Sequence, residues 1–196
     1  MTLFAFILAA YLLGSISFAL VASKLFGLPD PRTYGSKNIG ATNVLRSGKK
    51  AAAAFTLLGD AGKGALAVAL AQYFNLGEME IAAIALAVFC GHLFPIFLRF
   101  RGGKGVATAL GILLTLHLML GLAVLATWIA VAAIWRYSSL AAIVATLAAP
   151  AYAWYFLGAG FAASAVLAMS MLILWRHQRN IQNLLAGTES KMGKAP

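Results

Sequence analysis

The sequence predicts an all-α membrane protein of seven spanning helices, with the amino terminus outside and the carboxyl terminus in the cytoplasm. Three observations carry that prediction: the composition, the spacing of the apolar runs and the placement of the charges. Of the 196 residues, 62% are hydrophobic and 10% are charged. A soluble domain is about 45–50% apolar and about 25% charged, and a small one leaves too much surface exposed to hide such an excess. The length suits one integral membrane domain, 1–196, and no second.

The runs follow in order. The first extends from Leu3 to about Ser23. It lacks a basic leading region, and its first lysine, Lys24, comes after the apolar stretch, so it reads as a span rather than a cleaved signal. Ala51–Phe74 and Ile81–Leu98 give the second and third. Gly105–Trp135 is either one long helix or two short ones that turn near His117–Gly121. Tyr137–Leu157 and Phe161–Trp175 complete the set, with Gly158-Ala159-Gly160 as the turn between them.

Charge chooses between the two readings of 105–135. The Lys24–Lys50 segment holds six Lys or Arg and one acid. Arg99, Arg101 and Lys104 follow the third run, and Arg176, Arg179, Lys191 and Lys194 lie in the tail, whereas Asn75–Glu80 has two acids and no base. If 105–135 turns back on itself, every basic segment, Arg136 included, faces the cytoplasm, as the positive-inside rule requires. A single helix would export Arg136 and the whole basic tail.

The formal charge is +10, from 15 Lys and Arg against 5 Asp and Glu. In short segments between membrane spans, that excess points to anionic lipid headgroups and phosphate-bearing small molecules, not to nucleic acid. Cys90 is the only cysteine, which excludes an intrachain disulfide.

Asp60 and Lys63 interrupt the second run. A lone charge near mid-bilayer costs about 2.5–3.5 kcal/mol, and residues three apart share a helix face, so the two are expected to pair inside the bundle. The pair supports either helix packing or the site.

Three polar segments fall on the cytoplasmic side. In Gly35-Ser36-Lys37-Asn38-Ile39-Gly40-Ala41-Thr42-Asn43-Val44-Leu45-Arg46, glycines permit close backbone approach. Ser36, Asn38, Thr42 and Asn43 offer neutral hydrogen bonds, and Arg46 offers a two-pronged phosphate donor. In His92-Leu93-Phe94-Pro95 through Gly102-Gly103-Lys104-Gly105, a lysine sits among glycines at an expected helix start, where unpaired N–H groups attract an anion. It is not a nucleotide-binding P-loop, since Gly105 follows Lys104 where Ser or Thr is required. The third segment runs from Arg176-His177-Gln178-Arg179-Asn180 to Glu189. Each alone reads equally well as a polar turn, a stop-transfer loop or an orientation signal; their convergence on one face argues for a site. No His-x4-Asp acyltransferase pattern, no Gly-x-Ser-x-Gly elbow and no metal-ligand spacing occurs.

Taken together, Gly35–Arg46 and Gly91–Thr108 resemble the bacterial acyl-phosphate:glycerol-3-phosphate acyltransferases, the PlsY family. The resemblance covers nearly the whole chain, from Gly14-Ser15-Ile16 to the tail. It implies transfer of a fatty acyl group from acyl-phosphate to the sn-1 hydroxyl of glycerol-3-phosphate, giving lysophosphatidic acid for phospholipid biosynthesis in the bacterial cytoplasmic (inner) membrane. No cofactor and no metal is implied, and the partners are the two substrates and membrane lipids. By position, Ser36, Asn38, Thr42, Asn43 and Arg46 match the glycerol-3-phosphate pocket, and Gly102, Gly103, Lys104 and Gly105 the acyl-phosphate loop. His92, His177, Lys104 and Asn180 match catalytic positions; Asp60, Lys63 and Glu189 are expected to support them. Gln178 and Asn183 depart from the family pattern, in which Arg is frequent. Acyl-phosphate is already activated, so direct attack by the glycerol hydroxyl, without an acyl-enzyme, is expected. The rival reading is a transporter or channel for an anionic solute, which would line a central path with charge.

Overall fold

The computed structural model describes residues 2–192, and every regular element among them is helical. In chain order these are α1 (Leu3–Gly14), α2 (Phe18–Leu25), α3 (Ala41–Leu45), α4 (Lys50–Tyr73) and α5 (Glu78–Leu93). A 3-10 turn (Ile96–Leu98) leads to α6 (Val106–Leu116), α7 (Leu118–Trp135), α8 (Ser138–Leu157), α9 (Phe161–Arg176) and α10 (Gln178–Leu185). Lys194 lies outside the described residues.

Four helical stretches are long and apolar enough to cross a membrane: Lys50–Tyr73, Glu78–Leu98, Leu118–Trp135 and Ser138–Leu157. The pair α1 and α2 makes a fifth, and α6 and α9 are shorter apolar helices.

The first run, expected as one span, is two helices and not one. It bends by 44° between Gly14 and Phe18. Ser15 Oγ folds back onto the Tyr11 carbonyl at 2.9 Å, and Ser17 turns to an extended conformation at ψ 104°. The Ile16 carbonyl, freed by the break, accepts a hydrogen bond from Lys63 Nζ at 2.7 Å. The third run is also interrupted. Pro95 disfavours helix at the residue before it, and α5 ends at Leu93, with Phe94 at φ −128°, ψ 59°.

The long fourth run reverses at His117, within the expected turn. His117 is extended at φ −158°, caps α7 by accepting from the Leu120 N–H and stacks on Phe156. A Cβ added to Gly121 would strike Leu114, seven residues earlier, which a continuous helix keeps about 10 Å away. The two helices therefore fold against each other.

Small residues let the backbones touch. A Cβ on Gly111 would collide with the Ala61 carbonyl, and one on Gly64 with the Thr108 carbonyl, so α4 and α6 meet almost without side chains between them. Gly91 of α5 lies likewise on the Tyr11 carbonyl of α1. Gly62, between Ala61 and Gly64 on α4, faces open space. The main apolar core, including Phe89, Ile112, Leu120, Val166 and Met169, joins α1 to α4 through α9, and a second cluster of Ala19, Ala22, Val44 and Ala52 joins α2, α3 and the start of α4.

The ends of the bundle differ in charge. At one, Glu78 Oε1 accepts the Ala162 N–H at 3.0 Å, placing a carboxylate at the start of α9, where the helix dipole favours an anion. At the other, the starts of α6 and α8, the end of α7 and the tail after α9 come together. Met192 N–H donates to the Arg136 carbonyl at 2.7 Å, and Lys191 lies over the Tyr137 ring.

Candidate active site

Hydrogen bonds within and between the three polar segments hold each of them in shape. In the first, Asn43 is the organiser. Its side-chain carbonyl accepts the Ser36 N–H at 2.8 Å, and its amide donates to the Pro31 carbonyl at 2.7 Å and the Tyr34 carbonyl at 3.3 Å. Asn43 is 2% exposed, so these bonds occupy its side chain and its part in the site is to shape the loop. Thr42 Oγ1 lies 3.1 Å from Ser138 Oγ, at the start of α8.

The glycine segment is clamped from both sides. Gly102 and Gly103 donate their N–H groups to the Leu93 and His92 carbonyls, each at 3.1 Å. Their own carbonyls accept from Arg176 of α9, Gly102 O from Nη2 at 2.7 Å and Gly103 O from Nε at 3.2 Å. The unpaired N–H groups expected at Gly102 and Gly103 are thus committed to the loop itself, and the open donors begin at Lys104. The conformation requires glycine at 105, where φ is +88° and a Cβ would collide with Phe89 and Leu93. Behind the loop, a Cβ on Gly103 would strike His92 Nε2.

In the third segment, Glu189 gathers the tail. Oε1 accepts from Ser139 Oγ at 2.6 Å and Asn180 Nδ2 at 2.7 Å, and Oε2 accepts from Asn183 Nδ2 at 3.2 Å. Burial alone would raise its pKa, but the three hydrogen bonds and Lys104 outweigh it and hold the carboxyl below its ordinary value. Asn180 Oδ1 in turn accepts from Lys104 Nζ at 2.5 Å, and Arg46 Nη2 reaches Ser190 Oγ. Glu189, Asn180, Lys104 and Arg46 thereby tie all three segments into one wall.

Electrostatics distinguish the titratable groups. Lys104 falls to about 8, mainly by burial; Glu189 opposes the fall, and Arg176 and Arg46 add to it. His177 falls to about 4, again mainly by burial and next by the charge of Lys104. The imidazole is therefore neutral at pH 7. Its Nδ1 lies 2.8 Å from the Ile173 carbonyl, which can only accept, so Nδ1 carries the proton and Nε2 keeps a lone pair. Asp60 Oδ1 pairs with Lys63 Nζ at 3.0 Å and lies 3.6 Å from His92 Nδ1, all three side chains being buried.

These groups border one cavity of about 1190 Å³. Its mouth carries Ser36, Asn38, Thr42, Asn43, Arg46, Lys104, Gly105, His177, Asn180 and Glu189, and Asp60, His92 and Gly102 also line it. Gly103 and Lys63 are not on the wall. Beyond the mouth an apolar arm descends between α6, α7, α8 and α9, past Leu113, Val124, Ala149 and Val166. Among the described residues, no group of three His, Cys, Asp or Glu is placed to hold a metal ion.

Sequence reasoning missed Ser139 and the clamping role of Arg176. Ser139 opens an apolar helix and meets its partner fifty residues away, so no local pattern marks it.

A sequence model of the family described as glycerol-3-phosphate acyltransferase matches residues 4–187. The chain belongs to that family. The glycerol-3-phosphate acyltransferase of Nitrosospira multiformis is 63% identical over 99% of this chain and 98% of its own. That of Nitrosomonas europaea is 60% identical over 96% of each. Among solved structures, the integral membrane acyltransferase PlsY (YgiH) in its glycerol 3-phosphate form superposes with a TM-score of 0.92. It is 35% identical over 97% of this chain and 96% of that one. Its lysophosphatidic acid form gives 0.90 at 34% identity. This chain is accordingly an acyltransferase of the membrane, of the kind that serves phospholipid synthesis.

Proposed function

We propose that the protein transfers a fatty acyl group from acyl-phosphate to the sn-1 hydroxyl of glycerol-3-phosphate, releasing lysophosphatidic acid and phosphate. The observation that carries this reading is the single cavity, with a cationic, hydrogen-bonding mouth built from all three segments and an apolar arm leading from it. A molecule with a phosphate head and a hydrocarbon tail fits both parts at once. That the related PlsY has been solved with glycerol 3-phosphate and with lysophosphatidic acid supports the acceptor and the product.

In this reading Arg46 and Ser36 hold the acceptor phosphate, with Asn38 and Thr42 beside them and Asn43 fixing their loop. Lys104 and the open N–H groups from Lys104 onward take the donor phosphate. The acceptor hydroxyl oxygen attacks the donor carbonyl, the bond from carbon to the bridging oxygen breaks, and phosphate leaves with the electron pair. Lys104 neutralises the charge that gathers there. No acyl-enzyme is needed, because the mixed anhydride is already activated and the site has only to align two anions. With a pKa of about 4, His177 is a weak base at neutral pH. It serves as a hydrogen-bond acceptor that aims the hydroxyl, and the departing phosphate takes the proton. His92 supports the glycine loop from behind, and Asp60 and Lys63 hold His92 and the α1–α2 bend.

The same reading has seven spans, counting α6 and α9 with the five longer stretches, in the bacterial cytoplasmic membrane. The amino terminus is outside, and the mouth faces the cytoplasm. The transporter alternative requires a path through the bundle. Leu120 and Ala153, both without solvent exposure, lie beyond the end of the arm and argue against it.

Purified protein given acyl-phosphate and glycerol-3-phosphate is expected to form lysophosphatidic acid; folded protein that forms none refutes the assignment. Arg46→Lys keeps the charge but loses the two-pronged donor, so KM for glycerol-3-phosphate should rise by about tenfold, the equivalent of ~1.4 kcal/mol. An unchanged KM removes Arg46 from the phosphate site.

A further inference from the structure

The apolar arm has a definite depth. On α8 it is lined by Ala142, Ala145 and Ala149, three small side chains on one helix face, each at most 4% exposed. On α9, Ile173, Met169 and Val166 line it as well. The lining stops at the level of Ala149 and Val166. Past that level come Leu120 and Ala153, which belong to the packed core, with Tyr152 and Phe156 against it. A hydrogen bond of 3.0 Å between Thr127 Oγ1 and Tyr152 Oη joins α7 to α8.

Two helices measure the same distance independently. From Ser138 at the mouth to Ala149 is eleven residues of α8, and from His177 back to Val166 is eleven along α9. Eleven residues rise about 16 Å. Each carbon of an extended chain advances about 1.3 Å, given a C–C bond of ~1.5 Å. A straight acyl chain of about twelve carbons therefore reaches from the mouth to the floor, and longer chains must bend to fit.

We propose that this arm is a measuring well for the acyl chain, and that Ala149 and Val166 set its depth and hence the chain length transferred best. The proposal rests on the acyl-phosphate reading given above. Ala149 is the position at which a larger side chain raises the floor by about one helical turn, ~5 Å. Val166 lines the same depth from α9, and trimming that side chain lowers the floor.

The test is a profile of kcat/KM across saturated acyl-phosphates from octanoyl to stearoyl, in the parent protein, Ala149→Leu and Val166→Ala. The parent should show a maximum. In Ala149→Leu the maximum moves to shorter chains, and the ratio of kcat/KM for palmitoyl-phosphate to that for decanoyl-phosphate falls about tenfold, the discrimination expected of a few methylenes denied a pocket. In Val166→Ala the maximum moves to longer chains. Should Ala149→Leu not fold, the opposite shift in Val166→Ala carries the test. Product formation with a profile that is flat in the parent, or unmoved in every folded variant, overturns the well while leaving the reaction intact. It would mean that the chain leaves sideways between helices into lipid. No product from any donor in the parent overturns both readings.

Discussion

In the proposed reaction, Lys104 is expected to set the pH response of the site. It lies on a short loop between two helices, and burial brings its pKa to about 8. A lysine is charged below its pKa, so at pH 7 the ammonium can face a phosphate, and the charge is lost as pH rises through about 8. The expected outcome is a fall in kcat/KM for acyl-phosphate with an apparent pKa near 8 in the free enzyme. Lys104→Arg, whose guanidinium stays charged above pH 12, should move that limb upward. A profile flat to about pH 10, where an ordinary lysine titrates, would remove Lys104 from donor binding. His177, at about 4, gains its proton only in acid and contributes no step near neutrality. Both residues stood out in the sequence through their motifs, but the shift at each did not, because it comes from burial beneath segments far away in the chain. For the same reason the loop glycines were assigned free N–H groups. That Gly102 and Gly103 spend theirs on Leu93 and His92 depends on the turn after Pro95, which composition does not display.

Among the helices, α4 carries the most unusual load, a buried Asp60–Lys63 pair in an apolar stretch. Removing one partner of such a pair leaves the other buried and uncompensated, at a cost of about 3–5 kcal/mol. Asp60→Ala should therefore lower the melting temperature in detergent sharply, and Asp60→Ala with Lys63→Met should recover part of the loss. A single variant as stable as the parent would contradict the pairing. The pair was legible from its three-residue spacing. The bend between α1 and α2 was not, because Ser15 and Ser17 are acceptable within a membrane helix. The reversal at His117 was legible by a different route: hydropathy alone runs on through 105–135, and the positions of the basic residues decided that the chain must return.

Among the described residues, Lys and Arg other than Lys63 gather at one end, with Asp30 and Glu189 among them, Glu78 and Glu80 mark the other end, and the cavity opens at the basic one. With Cys90 replaced by Ala, Lys49→Cys should react with an impermeant thiol reagent only from the cytoplasmic side, and Met79→Cys only from the other. Labelling of both from one side would refute the seven-span orientation. The helices and their charge asymmetry were readable because lipid imposes them on the sequence directly. The shape of the cavity was not, since it depends on which faces of four helices meet.

The break at Ile16 has a consequence for how the protein is made. Synthesis proceeds from the amino terminus, so the carbonyl opened by that break leaves the ribosome before Lys63 does. The acceptor for the lysine of α4 has therefore been synthesised before the lysine itself. An irregularity in the earliest helix thus gives a later, costly charge a partner that was made before it.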